Sequence, residues 1–176
     1  MELMEKSFIP AINEIGEMFS NGRMFLPELI QAAEVLKAVT GVITDSLPEG
    51  KQPENKGTVL IGTVQGDIHD IGKTLVVTLM GVNGYTVHNM GRDVSVETFI
   101  EKVVEINADV IGTSSLLTTT MPEQKKLEKA LKDAGLKGKI KTMVGGAPVT
   151  ERWANRIGTD AYAENAHEAI VKLNGL

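Results

Sequence analysis

Apolar residues along this chain change their spacing once, and the change divides it. Met4, Phe8, Ile12, Ile15 and Phe19 recur at helical intervals with Glu and Lys between them, which predicts an amphipathic helix over 1–20 that Asn21-Gly22 ends. Pro27 suits the first turn of a second helix. That helix, over 28–43, carries Leu29, Ile30, Ala33, Leu36, Val39, Val42 and Ile43, an apolar stripe too wide for one partner helix to cover. The two helices therefore pack on the rest of the chain, or a second copy completes the bundle. Residues 45–57, DSLPEGKQPENKG, hold two prolines and two glycines among alternating charges, the composition of a boundary. The chain thus divides into a helical cap at 1–44, a linker at 45–57 and a larger domain at 58–176.

Beyond the linker, short β-branched runs alternate with helical segments, the signature of βαβ units and a parallel sheet. Strands are predicted at 58–64, 85–90, 109–114, 140–144 and 160–163, and helices at 71–80, 96–106, 122–134, 149–156 and 166–173. Right-handed crossovers leave few topologies. The expected fold is α/β, a flavodoxin-like (Rossmann-like) doubly wound sheet of order 2-1-3-4-5. In that order the chain reverses between strands 1 and 3, and ligands bind in the crevice at such a point. The loops flanking it are 66–72 and 114–120.

Composition narrows the classes. The chain has 176 residues, 42% of them apolar, a net charge of −5 and no cysteine. Disulfides, thiolate metal sites and cysteine nucleophiles are excluded. Without a basic cluster, nucleic acid is not the expected partner. No run reaches the length of a membrane span and no signal-peptide pattern opens the chain, so a cytoplasmic setting without membrane contact is expected.

The chemistry-bearing stretch is GDIHDIG, 66–72, where His69 stands between Asp67 and Asp70 at the end of the first strand. A neutral imidazole ligates transition metals well, and a carboxylate on its other nitrogen fixes the tautomer; Asp67 can do this if the loop folds back. By residue type alone, the commoner reading is Asp70 as a helix cap and His69 as an exposed loop residue. One histidine and two carboxylates fall short of the ligand set of bare zinc or iron. A metal held here must bring most of its own ligands, which means a macrocycle. The hydroxyl run TSSLLTTT, 113–120, either meets a ligand or caps the next helix. Gly145-Gly146-Ala147 either admits a bulky group or makes a turn. Neither GxGxxG nor GxxxxGK[ST] is present. His88 is expected at a strand end and His167 on a helix surface.

DIHDIG, TSSLLTTT and GGA, in this order, resemble the DxHxxG, SxL and GG signature of cobalamin-binding domains. The upstream GEMFSNGRMFLPELIQAAEVLKA is similar to the helical cap of methionine synthase and of the small corrinoid proteins of methyltransferase systems. The resemblance spans nearly the whole chain, and four motifs in order outweigh the blander readings. It implies a corrinoid methyl carrier that binds cobalamin base-off, with His69 as the cobalt ligand and the nucleotide tail in the crevice. A methyl group would shuttle between partners through Co(I) and methyl-Co(III). Asp67 and Thr120 would extend His69 into a hydrogen-bonded chain. Ser114, Leu116, Gly145 and Gly146 would line the tail slot, with Asp70, Ile71, Gly72, Thr118 and Ala147 as further cofactor contacts. Phe19, Leu26 and Leu29 would shield the upper face. The implied partners are a substrate-specific methyltransferase, a second methyltransferase with a tetrahydrofolate or thiol acceptor, and a reductive activator. The family cap usually has four helices, so this shorter one is expected to form a homodimer. The subunit is not expected to turn over alone. The same motif also serves adenosylcobalamin mutases and cobalamin sensors, but the cap points to methyl transfer.

Overall fold

Alternation along the strands decides which residues meet. In the computed structural model, which describes residues 4–45 and 55–176, β1 (Thr58–Thr63), β2 (Thr86–Asn89), β3 (Val110–Ser114), β4 (Lys141–Gly145) and β5 (Ala161–Ala163) form one sheet of order β2-β1-β3-β4-β5. Every pairing is parallel, so this is the expected 2-1-3-4-5 doubly wound sheet. Side chains alternate across it. Val59, Ile61, Val110 and Met143 enter one core with α3 (Ile71–Val82) and α7 (Ala166–Leu173). Leu60 and Ile111 enter another with α4 (Val96–Glu105) and α5 (Met121–Asp133), while α6 (Glu151–Ile157) closes a third cluster around Val144.

Three helices on the sheet start as their sequences ask, with a polar side chain accepting from the backbone two or three residues on. Ser95 accepts from Thr98, Thr150 from Trp153 and Asn165 from Glu168. Gly158, at φ 79°, ends α6 in the left-handed conformation that a side chain disfavours.

The first predicted helix is interrupted. A π-helical turn, Met4–Phe8, precedes α1 (Ile9–Ser20), because Pro10 has no N–H to give to the preceding turn and begins a new helix instead. After Asn21 and Gly22 the chain turns into α2 (Leu26–Asp45). Of the two fates expected for these helices, packing on the rest of the chain is observed. Ile12, Leu29, Ala33 and Leu36 join the α3 and α7 core. Val35 and Val42 remain exposed on the outer face of α2. His167 lies on α7 and is half-buried where that helix meets α1, so that a Cβ added at Gly16 would come 3.6 Å from its Nδ1. Most of the predicted linker, 46–54, lies outside the described residues. Among the described residues, no helix is long and apolar enough to cross a membrane.

Candidate functional site

At the carboxyl end of β1, Gly66 turns the chain at φ 81°, and its N–H donates to Asp93 Oδ1 at 2.7 Å. Thr63 Oγ1 donates to the His69 carbonyl. The loop 64–70 is thereby folded back on itself, and Asp67 is fully buried beneath it.

A buried carboxylate keeps its charge only when donors surround it. Asp67 Oδ1 accepts from the His69 N–H at 3.0 Å and lies 2.7 Å from His69 Nδ1. Its Oδ2 accepts from the Leu116 N–H at 2.6 Å and the Leu117 N–H at 3.3 Å, and Thr120 Oγ1 lies 3.2 Å away. Burial pushes the Asp67 carboxyl up, but the donors from His69, Leu116 and Thr120 outweigh it and hold the group at about 2. Asp67 is therefore an anion at neutral pH, and in the neutral form of the facing imidazole the proton belongs on Nδ1. Nε2 is left with its lone pair, on a side chain that is half exposed.

Neither presumed helix cap caps. Asp70 stands at the N-cap of α3 and Thr120 at that of α5, yet neither side chain accepts a backbone N–H. The Asp70 carboxylate faces the Arg92 guanidinium at 3.5 Å. Thr120 turns its hydroxyl to Asp67 and to Ser115 Oγ, 2.8 Å away. Ser115, fully buried, extends the chain that begins at His69.

Beside the histidine a cavity of about 690 Å³ opens along the carboxyl ends of β1, β3, β4 and β5. His69, Asp70, Ile71, Gly72, Ser114, Leu116, Gly145, Gly146 and Ala147 line it, and Phe19 and Leu26 bring α1 and α2 to its rim. Gly146 has φ 122°, and a Cβ on it would meet the Ser115 carbonyl oxygen at 1.9 Å. Only glycine passes there. Asp67 and Thr120 lie behind the histidine rather than on the cavity wall. Two expected contacts are elsewhere. Leu29 is fully buried in the core under α2, because that helix turns this face to α3, and Thr118 is exposed outside the cavity.

A B12 binding domain model matches residues 57–171, and a second B12 binding domain model matches 1–44. The chain belongs to the B12-binding domain family. Its cofactor is accordingly a cobalamin-type corrinoid. Trimethylamine corrinoid protein 2 of Methanosarcina mazei is 48% identical over 174 residues, covering 98% of this chain and 80% of the relative. Dimethylamine corrinoid protein 1 of Methanosarcina acetivorans is 45% identical, covering 99% and 82%. Among solved structures, a cobalamin-binding protein from Desulfitobacterium hafniense superposes with a TM-score of 0.87 at 32% identity, over 99% of this chain and 82% of that one. A chain of the methanol:cobalamin methyltransferase complex of Methanosarcina barkeri matches at TM-score 0.78 and 28% identity, over 100% and 68%.

The site of this B12-binding protein fits such a group by its own chemistry. Among the described residues no cluster of three or more metal-binding side chains exists. One imidazole nitrogen is offered, next to a large cavity, so a metal must arrive already ligated. Residue types alone passed over several groups the fold brings here. Lys73 is almost fully buried on the cavity wall and donates to the Gly91 carbonyl. Burial lowers its pKa, Asp70 opposes this and Arg92 adds to it. Gly112 was legible in principle, as a glycine inside a buried strand. Gln124, 1% exposed, spans the carbonyls of Thr113 and Gly145 and accepts from Trp153 Nε1. No local pattern announces that bridge.

Proposed function

We propose that this chain is a methyl-carrier corrinoid protein that holds its cofactor base-off, with His69 as the lower ligand of cobalt. The observation that carries the reading is the 2.7 Å contact between His69 Nδ1 and a buried, ionised Asp67. It leaves Nε2 as the nitrogen available to a metal in the adjoining cavity. When bound, the corrinoid supplies a cobalt centre that can accept a methyl group from one partner and yield it to another.

The chain's own residues set the strength of that ligand. Asp67 fixes the imidazole tautomer and raises its basicity. Thr120 and Ser115 steady the carboxylate from behind, so a proton shared along this chain alters how firmly the imidazole binds. Ser114, Leu116, Gly145, Gly146 and Ala147 border the slot for the nucleotide tail. Phe19 and Leu26, carried by the cap at 1–44, screen the cavity rim from water until a partner displaces them.

The relatives' names support a partner class. They are trimethylamine and dimethylamine corrinoid proteins, so a methylamine-specific methyltransferase is the first donor partner to test. A second methyltransferase with a thiol or tetrahydrofolate acceptor and a reductive activator complete the proposed cycle. The exposed Val35 and Val42 on α2 support self-association through the cap.

The test is reconstitution. Wild type and His69→Ala are incubated with hydroxocobalamin, desalted and compared by absorption. Retention of one corrinoid per chain, with a spectrum that His69→Ala changes, is expected. Identical spectra in the two proteins would exclude His69 as the ligand.

A further inference from the structure

The inner end of the cavity differs in chemistry from its mouth. Ile61, Gly112 and Met143 hold matching register positions on β1, β3 and β4, and all face the α3 and α7 core. Gly112 has no side chain, so a trough runs between Ile61 and Met143. A Cβ there would come within 3.2 Å of Ile61 Cγ1. The trough continues beneath α7 along Ala163, Ala166 and Ala169, all cavity-lining and 8%, 7% and 1% exposed. Apart from the glycine, these floor residues also belong to the main hydrophobic core.

None of these floor side chains carries a nitrogen or oxygen, and the strand amides beneath them are paired with neighbouring strands. The polar groups on the wall stand around the trough rather than on its floor, and Glu164 and Arg92 among them are exposed to solvent. Asp70 faces Arg92, His69 faces Asp67, and Asn165 Oδ1 accepts from the Glu168 N–H. The Lys73 ammonium is drawn to the Gly91 carbonyl, on the β2 side of β1 and away from β4 and β5. Ser114 stands at the strand end, and the Thr113 side chain alternates to the opposite face.

We propose that this trough selects the base at the end of the corrinoid's tail, accepting a benzimidazole-class base and discriminating against a purine. The proposal rests on the base-off reading above. An adenine base carries an exocyclic amine and extra ring nitrogens that are hydrogen-bonded in water. Over Ile61, Met143 and the three alanines they find no partner, and an unpaired buried polar group weakens binding by about tenfold or more. The methylated edge of dimethylbenzimidazole gains from the same surface.

Three ligands separate the possibilities when titrated into the purified apoprotein by absorbance: cobalamin, its adenine-tailed analogue, and cobinamide, which has no nucleotide tail. Cobalamin is expected to bind tightest and the adenine form about tenfold or more weaker. Equal affinity for the two tailed forms, both above cobinamide, overturns base selection and leaves the base-off reading standing. Equal affinity for all three overturns both. Met143→Gln, which puts an amide on the floor, is expected to shift the cobalamin-to-adenine affinity ratio severalfold toward the adenine form. Measuring both ligands on the same variant cancels any general loss of affinity, and an unchanged ratio overturns the proposal.

Discussion

Replacing Asp67 by Asn separates holding the corrinoid from ligating its metal. The two carboxylate oxygens accept from opposite directions, Oδ1 from His69 and Oδ2 from Leu116, Leu117 and Thr120. An amide has one acceptor end and one donor end. With its oxygen toward the three donors on the Oδ2 side, its NH2 faces the His69 N–H and ring. The partly buried His69 N–H then loses its acceptor. The ring responds by taking Nδ1 as acceptor and placing its proton on Nε2, the tautomer that cannot ligate. A buried unpaired donor costs roughly 1–3 kcal/mol. The wild-type carboxyl sits at about 2 rather than the ordinary 3.8, which corresponds to about 2 kcal/mol of stabilisation. Because the folded value is depressed, that stabilisation is complete above the unfolded value and is lost as pH falls through about 2. Urea unfolding should therefore show Asp67→Asn less stable by about 2 kcal/mol at pH 7, with the gap narrowing below pH 4. The slot is untouched, so the variant should still retain corrinoid. The electron paramagnetic resonance spectrum of its Co(II) form should lose the hyperfine splitting from an axial nitrogen. A variant that keeps both that splitting and wild-type stability refutes the tautomer argument.

Gly146→Ala should be the most damaging single change at the site. Its Cβ has nowhere to go but into the Ser115 backbone, so a loss of about 3 kcal/mol or more in urea unfolding is expected. Thr120→Val removes the hydroxyl between Asp67 and Ser115 and should cost about 1–2 kcal/mol in the same assay, with Thr120→Ser close to wild type. Gly112→Ala should fill the trough beside Ile61 and weaken cobalamin binding about tenfold by absorbance titration, while leaving cobinamide affinity unchanged.

Helix starts mark where local rules yield to the site. Ser95, Thr150 and Asn165 cap their helices as their residue types ask. Asp70 and Thr120 are the same kinds of residue at the same kind of position, yet they give their oxygens to Arg92 and to the Asp67 cluster. By residue type alone the five positions are equivalent. The difference lies in what stands opposite each side chain after folding, and breaks in local consistency of this kind gather at functional sites.

What the sequence alone determined is what short-range physics controls. The period of the apolar residues set the order of helices and strands, and right-handed crossovers then left the 2-1-3-4-5 sheet as the preferred solution. Asp67 and His69 are two residues apart, so their pairing needs only one loop to fold back. Tertiary structure alone decided the rest. Beyond His69 itself, the donors that keep Asp67 ionised come from residues 49 to 53 positions away in the chain. The trough at Gly112 exists only because β1 and β4 set Ile61 and Met143 on either side of it. The cap helices chose α3 and α7 because Ile12, Leu29, Ala33 and Leu36 found apolar partners there. Spacing along a chain fixes the direction a side chain faces within its own element, but the groups it meets are fixed by how distant elements pack.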